Sequence, residues 1–112
     1  MTPLATDLQL ILKQRMNVSE DDIKAVCQRW KIEEMALFGS VLREDFDKDS
    51  DVDVLVVFQE KHGWSLFDLM DLQAELENLF KHPVDILQKK ELINPHRRQE
   101  ILKTYQLVYG TK

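Results

Sequence analysis

Phe38-Gly39-Ser40-Val41-Leu42-Arg43-Glu44-Asp45-Phe46-Asp47-Lys48-Asp49-Ser50-Asp51-Val52-Asp53-Val54-Leu55-Val56-Val57-Phe58 is the stretch from which the architecture can be read. It opens on the last residue of Met35-Ala36-Leu37-Phe38, a short apolar run halted by Gly39, as expected of a buried strand ending in a tight turn. Val41 to Arg43 then predicts one helical turn. Val52 to Phe58 is rich in β-branched residues and apolar on both faces beyond Asp53, which predicts a central strand in a sheet covered on both sides.

Working outward, Leu4, Leu8, Ile11 and Leu12 fit one face of a helix, with Thr2-Pro3 as its cap and first-turn proline. Ser19-Glu20-Asp21-Asp22 resembles a capping box, and Ile23, Val26, Cys27 and Trp30 follow at helical spacing. Beyond the central strand, Ser65 is placed to cap a third helix bearing Leu69, Leu72, Leu76, Leu79 and Phe80. Pro83 forces the chain into an extended conformation for a third strand, Val84 to Leu87. Asn94-Pro95 opens a last helix with Ile101 and Leu102 facing inward. The order ααβ(α)βαβα predicts an α/β (α+β) fold, a small mixed sheet flanked by helices. Three glycines, three prolines and no internal repeat leave no room for a linker, so residues 1–112 are expected to form a single domain.

Composition narrows the classes of function. With 44% hydrophobic and 31% charged residues the chain matches neither a disordered nor a membrane protein. No apolar run approaches the roughly 18 residues of a membrane span, and Met1 to Leu12 lacks the features of a leader, so a cytoplasmic location without membrane contact is expected. A single cysteine, Cys27, closes no internal disulfide and has no second thiol for a zinc site. A net charge of −5 argues against direct nucleic-acid binding, which draws on a basic excess. The charge is polarised, however: residues 1–80 carry 8 basic and 17 acidic side chains, and residues 81–112 carry 7 and 3. The tail is where an acidic partner would dock.

The chemistry lies in Gly39-Ser40, ten intervening residues, and Asp51-x-Asp53. Residues i and i+2 of a strand project to one side about 6.5 Å apart, so the two carboxylates share a face and repel. A hard divalent cation such as Mg²⁺ offsets that repulsion. Gly39 allows a ligand close to the backbone, the amides after it are placed to cradle a phosphate, and the Ser40 hydroxyl adds a donor. Phosphate beside metal suggests a nucleotide, with two Mg²⁺ ions serving the attacking and leaving oxygens. Asp85 stands in the third strand where Val84, Ile86 and Leu87 predict burial. It is the natural third carboxylate, placed to hold metal or to take the proton of an attacking hydroxyl.

Other readings of these residues are weaker. Six acids from Glu44 to Asp53 would serve as a solvated loop, but a chance match to this spacing arises only about once per thousand chains of this length. A calcium loop starting at Asp49 would need Gly where Val54 stands. His62, His82 and His96 lack metal-binding spacing and are expected on the surface or in packing, and Cys27 in the core.

These residues resemble the nucleotidyltransferase domain of the DNA polymerase β superfamily and, within it, the minimal nucleotidyltransferase (MNT) family, over roughly Ser19 to Tyr109. Gly39 and Ser40 match the family's Gly-Ser, Asp51 and Asp53 its metal-binding Asp-x-Asp, and Asp85 its third strand carboxylate. Arg43 matches a basic residue common three positions after the serine, although Glu44 follows it where the family often has Gly. The ending through Ile101-Leu102 to Tyr109 looks like the family's last helix and final tyrosine. The resemblance implies an Mg²⁺-dependent enzyme with ATP as substrate, made alongside a HEPN-domain toxin as its antitoxin. It implies transfer of AMP to a tyrosine of that toxin within a hetero-oligomer. Lys89, Lys90, Arg97 and Arg98 would then supply a salt-sensitive rim contact to the partner. Two alternatives stay open: an antitoxin that silences its partner by occlusion alone, and a nucleotidyltransferase acting on a small molecule.

Overall fold

The computed structural model describes residues 6–43, 46–61 and 63–110. The expected Thr2-Pro3 cap, Leu4, the Leu8 side chain, Glu44 and His62 lie outside the described residues. Two helices, α1 (Thr6–Met16) and α2 (Glu20–Arg29), lead into β1 (Ile32–Phe38), followed by a 3-10 turn at Gly39–Leu42 and β2 (Val52–Phe58). Then come α3 (Leu66–Phe80), β3 (Val84–Gln88), a second 3-10 turn at Lys89–Glu91, α4 (Pro95–Thr104) and β4 (Gln106–Tyr109).

Local chemistry accounts for most of these boundaries. Ser19 and Ser65 each accept from the backbone N–H three residues on, and Asp22 and Asp68 reach back to the cap N–H, giving reciprocal capping boxes for α2 and α3. Asn94 accepts from the His96 and Arg97 amides, and Pro95 occupies the first turn of α4, where a missing N–H costs nothing.

The sheet runs β3-β2-β1-β4. β1 pairs antiparallel with β2 and β4, while β2 and β3 are parallel, joined by the α3 crossover. The two faces differ. Met35 and Leu37 of β1 and Val52, Val54 and Val56 of β2 point into a large core filled by Leu12 and Met16 of α1, Ile23, Val26 and Cys27 of α2, and Leu72, Leu76 and Phe80 of α3. On the opposite face, Ala36, Phe38 and Leu55 meet Leu92 and Ile101 in a smaller cluster, with Leu87, Leu102, Tyr105 and Leu107 against it.

The sequence reading differs in two places. β4 was not expected: its four residues follow α4 directly, and so short a run carries no periodicity of its own. β1 also begins at Ile32, three residues earlier than the apolar run, because Ile32 and Glu34 pair with Phe58 and Val57 of β2, with an irregularity between them at Glu33.

Candidate active site

Asp53 is the centre of the site. It stands at the start of β2 on the face that carries Leu55, and strand pairing sets its neighbours: Phe38 of β1 on one side and Asp85 of β3 on the other. Asp51, two residues earlier, lies just before the strand. The carboxylates of Asp53 and Asp85 are thus adjacent across a parallel pair, above the small core formed by Leu55 and its neighbours.

Asp85 is exposed, not buried as its apolar neighbours suggested. β3 is an edge strand, and its Asp85 position lies beyond the reach of the small apolar cluster, whereas Val84 turns to the opposite face and is buried.

Electrostatics tie five residues together. Partial burial pushes the Asp53 carboxyl above its usual range, and the negative charges of Asp85 and Asp51 push it further. The guanidinium groups of Arg43 and Arg97 act in the opposite direction. A carboxylate raised by two others is short of a cation. The donors are all hard oxygens, which fits Mg²⁺. Among the described residues no three acidic, His or Cys side chains close into a ready-made metal cage.

Gly39 is required here on two counts. Its φ of +77° lies in the region that side chains avoid, and a Cβ at this position would collide with the Asp53 Oδ2 atom. The carboxylate therefore rests directly against the glycine backbone. Ser40 donates its hydroxyl proton to the Asp51 carbonyl at 3.0 Å, tying the turn to the approach of β2. With one proton to give, that hydroxyl must rotate away before it can donate to a phosphate.

The loop between Ser40 and Asp51 is braced from behind by residues to which the sequence gave no role in the site. Arg15 of α1 donates to the carbonyls of Val41 and Arg43. Its guanidinium lies 5.7 Å from the centre of the Phe46 ring, which packs against His82 at 4.8 Å. His82, buried as packing, sets its ring nitrogens 3.0 Å from the Ser50 and Arg15 carbonyls. Asp47 folds the acidic stretch on itself, accepting from the Asp49 amide and the Ser50 hydroxyl. The Asp49 to Glu60 segment runs into a strand rather than wrapping an ion, so no calcium loop forms.

Of the predicted site residues, Gly39, Ser40, Asp51, Asp53 and Asp85 converge around the β1 and β2 ends. Arg43 follows the 3-10 turn and acts on Asp53 through its charge. Arg97, grouped by sequence with Lys89, Lys90 and Arg98, belongs electrostatically with the carboxylates instead. No spacing pattern links α4 to β2, so sequence alone offered no signal for it.

This arrangement, a Gly-Ser turn beside a row of strand carboxylates, is the chain's candidate nucleotidyl-transfer site. A family model for the nucleotidyltransferase domain matches residues 22–108. Protein adenylyltransferase MntA of Thermococcus cleftensis is 38% identical over 69 residues, covering 62% of this chain and 68% of the relative. A solved structure assigned to the minimal nucleotidyltransferases is 32% identical, covers 85% of this chain and 92% of its own, and superposes with a TM-score of 0.65. A toxin-antitoxin crystal structure with AMP-PNP shares the fold at 18% identity and a TM-score of 0.68, covering 85% of this chain and 76% of that one. The chain belongs to the nucleotidyltransferase domain family, as one of its minimal nucleotidyltransferases, and is an enzyme of that class.

Proposed function

We propose that this protein is an Mg²⁺-dependent protein adenylyltransferase that acts as an antitoxin, moving AMP from ATP to a tyrosine of a HEPN-domain toxin. The observation that carries the reading is Asp53, pressed against Gly39 and flanked by Asp51 and Asp85 on one face. The relative named protein adenylyltransferase MntA supports AMP transfer to protein, and the toxin-antitoxin fold neighbour with AMP-PNP supports the nucleotide and the setting.

Asp51 and Asp53 would hold the metal, with Asp85 beside them. When bound, Mg²⁺ supplies Lewis-acid neutralisation of phosphate charge. The turn amides after Gly39 bind phosphate, Arg43 adds positive charge, and Asp85, being exposed, is reachable by an incoming hydroxyl whose proton it accepts. The hydroxyl oxygen bonds to the α-phosphorus as the bond to the bridging oxygen breaks, and pyrophosphate leaves with that electron pair. Asp85 is exposed to a protein acceptor, and Lys89, Lys90, Arg97 or Arg98 would add a salt-sensitive contact to it.

Intact-mass spectrometry of the HEPN protein, incubated with this chain and Mg-ATP, tests the reading. The expected result is added AMP mass on tyrosine, lost with Asp85→Asn. Equal neutralisation of toxicity by a chain with Asp51, Asp53 and Asp85 all changed to Asn would replace it with occlusion.

A further inference from the structure

Arg15, in the last turn of α1, is tied to both sides of the candidate site. Its Nη1 atom donates to the Val41 carbonyl at 2.6 Å and also to the Arg43 carbonyl. These carbonyls belong to the trailing end of the Gly39–Leu42 turn, where a helical turn leaves oxygens without partners of its own. The guanidinium also lies over the Phe46 ring, further along the same loop. Arg15 therefore closes the turn from behind, while the Gly39-Ser40 end stays free to face a ligand.

The main chain of Arg15 reaches the other side. Its carbonyl is among the last in α1, which the helix itself leaves unpaired, and one ring nitrogen of His82 lies 3.0 Å from it. The second ring nitrogen lies 3.0 Å from the carbonyl of Ser50, the residue next to Asp51. A neutral ring can donate to only one of these two oxygens, so the guanidinium makes the firmer of the two links. The root of the side chain is also fixed, because Leu12 and Met16 of α1 are fully buried in one core with Val41. One half-buried residue thus ties the turn that follows β1 to the segment that leads into β2.

We propose that Arg15 is a positioning residue for nucleotide binding, setting the Gly39-Ser40 turn against Asp51 so that phosphate and metal ligands keep their spacing. It acts through the backbone of the loop and touches neither phosphate nor metal itself. This rests on the nucleotidyl-transfer reading and adds to it a residue that precedes the family-matched residues 22–108.

Calorimetric titration of the chain with Mg-ATP, and separately with Mg-pyrophosphate, tests this when paired with urea denaturation of each variant. Arg15→Met keeps the stem but removes the donors, and should weaken both ligands by about tenfold or more, the loss usual when the support behind a binding group is removed. Arg15→Lys retains charge and donors on a side chain one bond shorter, and should lose less. Phe80→Ala is the control: it makes none of these contacts, and should lower stability while leaving both affinities within about twofold. Wild-type affinity in Arg15→Met would overturn the assignment, as would an equal loss in Phe80→Ala, which would mark general loosening. Should Arg15→Met not fold, Arg15→Lys decides in its place: weakened binding by the folded chain supports the role, and unchanged binding removes it. A wild-type chain that binds neither ligand would overturn the nucleotidyl-transfer reading itself, whereas wild-type binding with an unaffected Arg15→Met removes Arg15 alone.

Discussion

The two faces of the sheet divide the labour of the molecule. The face under α1, α2 and α3 is apolar from edge to edge, with Met35, Leu37, Val54, Val56, Leu72, Leu76 and Phe80 all fully buried. The face under α4 carries a small apolar cluster at one end and the carboxylate row at the other. One face concentrates the hydrophobic stabilisation, and the other holds like charges together at some cost to it. The contrast teaches that a chain this short places its chemistry where the sheet is only half covered and lets the opposite face carry the fold.

The strongest way to break the contrast is on the apolar face. Phe80→Ala should lower unfolding free energy by about 3–5 kcal/mol, as for a fully buried aromatic truncated to a cavity. Urea denaturation checks it, and the folded fraction should still bind Mg-ATP with wild-type affinity.

On the other face the expected signs reverse. Asp53→Asn should cut nucleotidyl transfer by at least about 100-fold, a loss in the range for removing one preorganised electrostatic contact, while leaving the fold intact. Because the folded carboxyl titrates above its unfolded range, the stability it contributes is fully present below the unfolded pKa. That contribution is lost as pH rises through the folded pKa. The metal-free variant should therefore be more stable than wild type at neutral pH, with the difference shrinking as pH falls through the folded pKa. Thermal melts in chelator at several pH values check this.

A glycine pair sharpens the comparison at smaller amplitude. Gly63, with φ of +78°, has open space around it, so Gly63→Ala should cost about 1 kcal/mol of backbone strain. Gly39→Ala adds a collision with Asp53 to the same strain and should cost about 1–3 kcal/mol, with loss of nucleotide binding as well. The two melting curves, compared side by side, isolate the collision.

The smallest effect is expected at Cys27. Burial pushes its thiol up to about 12, so alkylation by iodoacetamide at neutral pH should be negligible in the native protein and prompt after unfolding.

The apolar face was readable in the sequence because it is built from periodic signals: Leu72, Leu76 and Phe80 at helical spacing, Val52, Val54 and Val56 alternating along a strand. The Gly39-Ser40 and Asp51-x-Asp53 elements were legible because one strand-turn-strand unit contains them all. What escaped came from long-range packing. Arg15 and His82 brace the site loop from α1 and from the turn after α3, the charge of Arg97 reaches Asp53 from α4, and no local pattern announces which residues meet across a fold. The exposure of Asp85 was misjudged for a related reason, since its apolar neighbours along the chain do not reveal that β3 lies at an edge.

The parallel pairing of β2 with β3 also bears on how the chain is made. β1 and β2 form a hairpin from nearby residues, but Asp53 meets Asp85 only after all of α3 has crossed the sheet, and β4 must return to β1 from the far end. Pairings between distant segments form slowly, after loop closure has been paid for. During synthesis, Asp51 and Asp53 leave the ribosome with no third carboxylate beside them and no α4 above them. The carboxylate row therefore forms only after β3 has joined β2, later than the hairpin that carries Asp53.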